Sequence, residues 1–527
     1  MDEYIFGANI LENLTTGMYQ DSKVSYREYI QNACDQIDKA VEMGILKSRE
    51  DGQIEIWLSN DERCISIEDN ATGIPQADFE STLANIADSN KRIGEDKGFR
   101  GIGRLCGLAY CRELVFSATA KGEDTISIMR CDAQKMRDYL ARSVAGEKYT
   151  AGEVLKEIYQ FEYKKKKSVR SEHWFKVELI DINDENTDLL DFDEVKEYLS
   201  FAAPVSYINT FSYQTEIYKH AKKIGYIIDE YNIKLNGEDV FKKYATHFKT
   251  RNGDDDVFEV EFKDFYDESG KLCFWLWYGV SNFKGVMKKE CKMRGLRLRQ
   301  ANIQIGGEDA LQKLFKEDRG QHYFIGELFA VTPELIPNSQ RDYFNENPMR
   351  VRFELEVRSY FKEVFAKIYR GASEINSSFR AIDDYRKKEE EHQKKLKRND
   401  YINPDDASKA QEAVESAKKK ANEAQAKIDK YKQASDESEA GDVLGRMIQR
   451  IEKKRKEEDK PVSSADVKPV YTGPKPVSKK QPRWTDRLSR CNKKERILIE
   501  KIIVIIKRFT DEETVELIKK NIEEEFK

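Results

Sequence analysis

Three groups of residues near the N-terminus combine side-chain types and spacings that could do chemistry. Glu28, Asn32 and Asp35 stand at i, i+4 and i+7 in a segment starting near Ser25, whose apolar residues Tyr26, Ile30, Ala33, Ile37, Ala40 and Val41 write one helical stripe. On a 3.6-residue helix the three polar residues fall within about 60° of one another. They share a face opposite the stripe, so the plain reading is a solvated polar surface. The second group, Glu68-Asp69-Asn70-Ala71-Thr72-Gly73-Ile74-Pro75, closes a strand with a turn. A carboxylate there can accept a hydrogen bond from an exocyclic amine, because Gly73 leaves room for a ring to approach. The third is Gly98-Phe99-Arg100-Gly101-Ile102-Gly103-Arg104-Leu105-Cys106-Gly107, after the polar run Asp88-Ser89-Asn90-Lys91-Arg92. Glycines before an apolar, helix-like run present free backbone N–H groups, which attract phosphate. No strand precedes them, so a Rossmann reading lacks its context.

Mixed helix and strand signals must position these groups. Alternating runs Gln53–Ser59 and Arg63–Asp69, split by Asn60-Asp61-Glu62, predict a hairpin. Glu113–Ala118, Thr125–Met129 and Trp174–Ile182 predict further strands, and Lys164–Lys167 reads as a solvated loop. From about 200 to 372 a second α+β block offers strand candidates Phe258–Phe262, Leu272–Tyr278 and Leu296–Ile305, then a helix pattern around Val351–Tyr369. Between Arg386 and Lys460, 39 of 75 residues are charged, and Ala410, Ala413, Ala417, Ala421 and Ala424 favour helix, predicting an αα-hairpin or coiled coil with a weak seam. Pro461–Trp484 holds five of the 11 prolines and five Lys/Arg against one acid, an extended basic linker. Asp486–Lys527 regains amphipathic character, enough for a small helical module.

Composition narrows the classes. At about 150 residues per domain, 527 residues predict three to four units. Charged residues reach 35%, against about 25% in an ordinary domain, yet the net charge is only −5, which points to long solvated helices rather than to a polyanion-binding protein. The apolar run Ile502–Ile506 is far short of the roughly 20 residues that span a bilayer, and no signal-peptide pattern opens the chain. Eight cysteines without a CxxC pair and five histidines without HxxxH argue against a disulfide scaffold or a zinc site. A reduced, cytoplasmic protein without membrane attachment is expected.

Taken together, Glu-x3-Asn-x2-Asp, an Asp-x3-Gly turn 37 residues after the Asn, and a glycine-rich loop 29 residues beyond resemble the GHKL ATPase superfamily. The segment Arg27–Lys39 and the run Leu83–Lys91 are most similar to the heat-shock-protein-90 branch. The resemblance implies an α+β chain: a Bergerat-type ATPase sandwich (1–205), a transducer or middle-like domain (206–372), a charged helical arm (373–460), the linker (461–484) and a C-terminal helical module (485–527). By resemblance Glu28 polarises the attacking water, Asn32 holds Mg²⁺ and Asp69 reads the adenine amine of ATP. Asp35, Gly73 and Ile74 line the pocket. Ser89, Asn90 and Lys91 open a lid that runs over 89–97, and Gly98, Phe99, Arg100, Gly101, Ile102 and Gly103 hold the phosphates. The stretch Leu335–Asn345 is similar to a middle-domain loop whose arginine reaches the γ-phosphate, which makes Arg341 the catalytic cation, supported by Asn338 and Asn345.

Departures from the pattern are specific. Ala71 replaces the first glycine of the Asp turn, which fits if its φ is negative. The expected later Gly-Thr motif is absent, its strand reading Ser171-Glu172-His173-Trp174-Phe175-Lys176-Val177. The alternation Arg294-Gly-Leu-Arg297-Leu-Arg299 predicts a polar sheet face, or a basic surface for a partner. The family implies an ATP-gated homodimer acting on a protein client or effector, in a setting such as stress response or phage defence. A nucleic-acid clamp resembling MutL or MORC proteins, and a nucleotide-dependent scaffold without turnover, are the competing readings.

Overall fold

The computed structural model describes residues 6–15, 17, 21–86, 103–398, 400–467 and 484–527. They form two compact units, 1–281 with 285–362, and 282–284 with 363–527. The first unit begins α1 (Asn9–Leu14), α2 (Val24–Glu42), β1 (Gln53–Ser59), β2 (Cys64–Asp69), α3 (Gln76–Ala84), β3 (Cys111–Thr119) and β4 (Thr125–Asp132). It continues with α4 (Ala133–Val144), α5 (Ala151–Ile158), β5 (Tyr159–Lys165), β6 (Trp174–Ile182), α6 (Phe192–Ala202), α7 (Gln214–Lys223), β7 (Asn232–Leu235) and β8 (Glu238–Asp239). All eight of these strands lie in one sheet, ordered β5-β4-β3-β6-β2-β1-β7-β8. Its pairs are antiparallel except β1 with β7, so strands from beyond residue 205 belong to the same sheet as β1 to β6.

The core follows from two periodicities. Along β1 and β2, Ile54, Ile56, Ile65 and Ile67 point inward with a period of two, and Tyr26, Ile30, Ala33, Ile37 and Ala40 of α2 pack into the same core. Leu114, Phe116, Val177 and Leu179 extend it across β3 and β6. The hairpin and the three expected strands are all present, each within two or three residues of its expected ends. The lysine run is a correction: Lys164 and Lys165 end β5, an edge strand, where exposed lysines discourage further pairing.

The rest of the first unit holds β9 (His247–Thr250), β10 (Gly253–Asp256), β11 (Glu259–Tyr266), β12 (Leu272–Val280), β13 (Gly295–Gln300), β14 (Ile303–Ile305), β15 (Ile325–Ala330) and α8 (Pro348–Tyr360). Five strands form a second sheet, β11-β12-β15-β13-β14, with β13 parallel to β15. The expected single strand Leu296–Ile305 is instead a hairpin, because Ala301 and Asn302 both take positive φ, +46° and +60°. The expected basic surface is also corrected. β13 is buried on both faces; Arg297 lies over the ring of Phe201 at 4.2 Å, and Arg299 has no exposed surface at all.

Arg299 belongs to a buried polar cluster. Its Nε donates to Glu327, its Nη2 to the Phe201 carbonyl at 2.7 Å, and Lys242 Nζ reaches Glu327 at 3.1 Å and Asn302 Oδ1 at 2.7 Å. Tyr207 donates to the same carboxylate. Every charge is paired, as burial at this depth requires. Burial comes first among the causes that push the Lys242 ammonium down to about 7, with the Arg299 guanidinium adding to it and Glu327 opposing.

The second unit is helical: α9 (Ala366–Arg398), α10 (Pro404–Gln433), α11 (Glu439–Glu457), α12 (Lys493–Ile506) and α13 (Glu512–Phe526). The helix pattern expected to end near residue 369 therefore continues to 398, and a π turn, Phe361–Phe365, separates α8 from α9. The charged region is three helices rather than two. The buried residues of α10 are Ala407, Val414, Ala417, Ala421, Ala424 and Ile428, a 3-4 heptad seam made mainly of alanine. Pro404 at the helix start and Asn403, whose side chain accepts the Asp406 N–H at 2.9 Å, fix where α10 begins.

Candidate active site

Helix α2 is anchored before the face that carries Glu28, Asn32 and Asp35 begins. Ser22 Oγ donates to Asp188 at 2.8 Å, Lys23 pairs with Asp188 at 3.0 Å and Glu194 at 3.1 Å, and Tyr26 OH donates to the Leu189 carbonyl at 2.6 Å. Tyr29 OH donates to the Arg104 carbonyl and accepts the Gly107 N–H, both at 3.0 Å, which ties the helix to the turn after the glycine-rich segment. The face reading as solvated polar surface is corrected here. Glu28 keeps only 8% of its surface and Asp35 is also buried, while Asn32 is half-buried.

Glu28 is the meeting point of the site. Its Oε1 lies 3.8 Å from Arg27 Nη2 and 3.9 Å from Arg341 Nε, with no hydrogen-bond partner among the described residues. Neighbouring Gln31, also buried, leaves both amide atoms without partners among the described residues. Buried polar atoms are costly when unsatisfied, and such atoms mark a place where water or a ligand group is received. Gly103 packs so closely on Glu28 that a Cβ there would run into Oε2.

Arg341 comes from the second block, in the loop between Pro337 and Phe344, which bridge one another. Its φ is +53°, uncommon for a residue with a Cβ. The conformation is held from both sides: the Arg341 N–H donates to the Asn338 carbonyl at 3.2 Å, and its own carbonyl accepts the Gly306 N–H at 2.8 Å. Asn338 bonds Asp342 through its side chain, whereas the recorded bond of Asn345 runs through its backbone to Ile336. Arg27 Nη2 donates to the Gln340 carbonyl at 3.1 Å, fastening this loop to α2.

The Asp69 end is built by β-strand alternation. Asp69 follows Ile65 and Ile67 on the inward face of β2 and keeps 4% of its surface. Its carboxylate accepts the Ala71 N–H at 3.0 Å. Burial pushes the Asp69 carboxyl up to about 7; the Ala71 bond pulls it down and the charge of Glu68 pushes it up. Ala71 is absent from the residues with positive φ, so the substitution of the usual glycine is tolerated as expected. Gly73 does take positive φ, +61°, and any Cβ there would strike the Thr119 carbonyl. Thr72 Oγ1 donates to Gln36 Oε1 of α2 at 2.9 Å, linking turn and helix, and Ile74 is half-buried beside them.

Across the sheet, Asp69 pairs with Phe175. The position where a polar partner was sought thus carries a ring, stacked 6.0 Å from Phe116. His173 Nδ1 sits 2.6 Å from the Ala71 carbonyl, the remaining polar contact of that strand end with the turn. Arg27, Gln31, His173 and Phe175 carried no signal in the sequence, since each depends on depth or cross-strand register. Ser89, Asn90, Lys91, Gly98, Phe99, Arg100, Gly101 and Ile102 lie outside the described residues.

Residues 21–163 match the family described as histidine kinase-, DNA gyrase B-, and HSP90-like ATPase. The matched span contains α2, the Asp69 turn and Gly103, so the part of the chain that carries Glu28, Asn32, Asp69 and Gly103 is similar to a GHKL ATPase domain, a class that binds ATP; Arg341, His173 and Phe175 lie outside it. No curated protein matches the chain. Among the described residues no group of three His, Cys, Asp or Glu side chains could hold a metal, and no helix is long and apolar enough to cross a membrane. Among the described residues a Mg²⁺ ion would be offered a single side-chain oxygen, that of half-buried Asn32, which fits an ion that prefers to keep waters and phosphate oxygens as its other ligands.

Proposed function

We propose that this chain binds ATP with Mg²⁺ and hydrolyses it, using a site completed by its second α+β block. The observation that carries the reading is the approach of Arg341 to the buried Glu28 carboxylate, 3.9 Å away, from a loop held in a strained conformation. Glu28 orients the water and accepts its proton as attack proceeds. Arg341 and Arg27 supply positive charge next to it, where charge develops on the terminal phosphate. Asp69 accepts from the adenine amine, and Gly73 keeps the turn open to the base. Mg²⁺, held by Asn32, would neutralise phosphate charge. Asp35, buried one turn beyond Asn32, lines the same face.

In this reading the chain works as an ATP-gated homodimer of the heat-shock-protein-90 type on a protein client. Hydrolysis resets the clamp, because loss of the terminal phosphate removes what Arg341 holds. The nucleic-acid reading loses one of its two supports, since Arg297 and Arg299 are buried. Replacing Glu28 with Ala tests the assignment. Phosphate release should fall below about a hundredth of the wild-type rate, while nucleotide affinity changes by less than severalfold. Turnover that survives the substitution would show that another group orients the water.

A further inference from the structure

Beside the loop that carries Arg341 lies a cavity of about 780 Å³, within the size range of small-molecule sites. It is walled by the start of α2, by α6, by the β13–β14 hairpin with the Gly306-Gly307 turn after it, and by Gln340 and Asp342 on either side of Arg341. None of Glu28, Asn32, Asp35, Asp69 and Gly103 lines it, so it is distinct from the site proposed for ATP, although Arg27 touches both. Its floor is cationic. Arg27 and Arg297 each keep 5% of their surface, and the Nε of each has no hydrogen-bond partner among the described residues. Arg297 donates to Gln304 Oε1 at 3.2 Å and to the Lys292 carbonyl, and no carboxylate among the described residues pairs with it. Burial leads the causes that lower its guanidinium's pKa, despite the more distant carboxylates of Glu308 and Glu327. A buried cation without a counter-charge is costly, and an anion that reaches it is held firmly because little water screens the pair.

The mouth carries the opposite sign. Lys23 and Lys292 are taken up by Glu194 at 3.1 Å and Glu197 at 3.2 Å, whereas exposed Asp21 and Asp309 pair with no base among the described residues. Tyr198 and Phe201 add aromatic wall. We propose that this cavity binds a small zwitterion, its carboxylate or phosphate turned to Arg297 and Arg27 and its amine held at the mouth by Asp21 and Asp309. An anion alone would face those two acids, and a cation alone would leave the floor without counter-charge. Guanidinium groups favour acceptors with two oxygens, which both anionic heads provide. The site does not rest on the ATPase reading. Its occupant nevertheless bears on the Arg341 loop, since Gly306 of the cavity wall donates to the Arg341 carbonyl at 2.8 Å and Gln340 accepts from Arg27.

Calorimetric titration of the full chain without nucleotide tests this, with O-phosphoserine and glutamate as zwitterions and inorganic phosphate and glutarate as their amine-free counterparts. At least one zwitterion should bind with a Kd below about 1 mM and about tenfold more tightly than its counterpart, and which one does so tells a phosphate head from a carboxylate head. Arg297→Gln should weaken that binding by about tenfold or more, which places it in this cavity and not at the nucleotide site. The pair Asp21→Asn and Asp309→Asn, both at exposed positions, should erase the preference over the amine-free counterpart with an unchanged far-ultraviolet helix signal. Binding of both zwitterions weaker than about 1 mM, a preference for the amine-free anions, or an affinity indifferent to both sets of substitutions would each overturn the proposal and leave the ATPase reading untouched.

Discussion

Asp69 stands where Ile65 and Ile67 lead one to expect a third inward apolar side chain, and its cost is readable in its proton affinity. Burial raises its carboxyl from 3.8 to about 7. A carboxyl whose folded-state pKa lies above its unfolded value keeps a proton on folding, so stability falls as pH rises from about 4 to about 7 and stays lower above that. The ionised form accepts the amine's hydrogen bond more strongly than the neutral acid, whose carbonyl oxygen can still accept. Nucleotide binding should therefore tighten between pH 6 and pH 8, by up to about tenfold, with a proton released at the lower pH, and Asp69→Asn should flatten that slope. Calorimetric titration at the two pH values measures both effects. At this scale, residue types and spacing were enough to single out Glu28, Asn32, Asp35 and Asp69. Depth was not legible: the face of Glu28 and Asp35 read as solvated, because an amphipathic pattern cannot show that a second layer covers a helix on its polar side. Phe175 enters the site only through its register with Asp69.

Elements with a clean period were legible, and those whose irregularity lies in the backbone were not. β1, β2 and β6 follow strict alternation or a bounded apolar run, and β6 is found with the expected ends. The β13–β14 hairpin was hidden because its turn, Ala301-Asn302, contains no glycine, although both residues have positive φ. What holds Asn302 there is burial: its side chain accepts from Lys242 at 2.7 Å and donates to the Asp229 carbonyl at 2.6 Å. In α10 the alanines were legible as helix formers, but not as a seam. Ala421 is fully buried, whereas Ala413 is exposed. Ala421→Leu should overpack the seam and destabilise the helical unit by about 1–3 kcal/mol, while Ala413→Leu should stay within about 0.5 kcal/mol of wild type. Urea unfolding followed by helix signal distinguishes the two.

At the scale of the whole molecule, the balanced charge excess resolves into distinct places. The net charge of −5 conceals an arm with 39 charged residues in 75, a basic segment with five Lys/Arg against one acid, and a tail that pairs a basic with an acidic helix. Two sheets meet around one site: β7 extends the first sheet, and the loop carrying Arg341 docks on α2 through Arg27 and Gln340, 313 positions apart. Spacing within a motif could flag either half, but not their meeting, because contacts of such separation leave no local pattern. The most direct test of this joint site is phosphate release by Arg341→Ala, measured with nucleotide affinity in the same preparation. Hydrolysis should fall about a thousandfold while affinity changes by less than about threefold, the mark of a cation that acts mainly in the transition state. A variant that hydrolyses ATP at the wild-type rate would contradict the account, and would confine the catalytic machinery to the first domain.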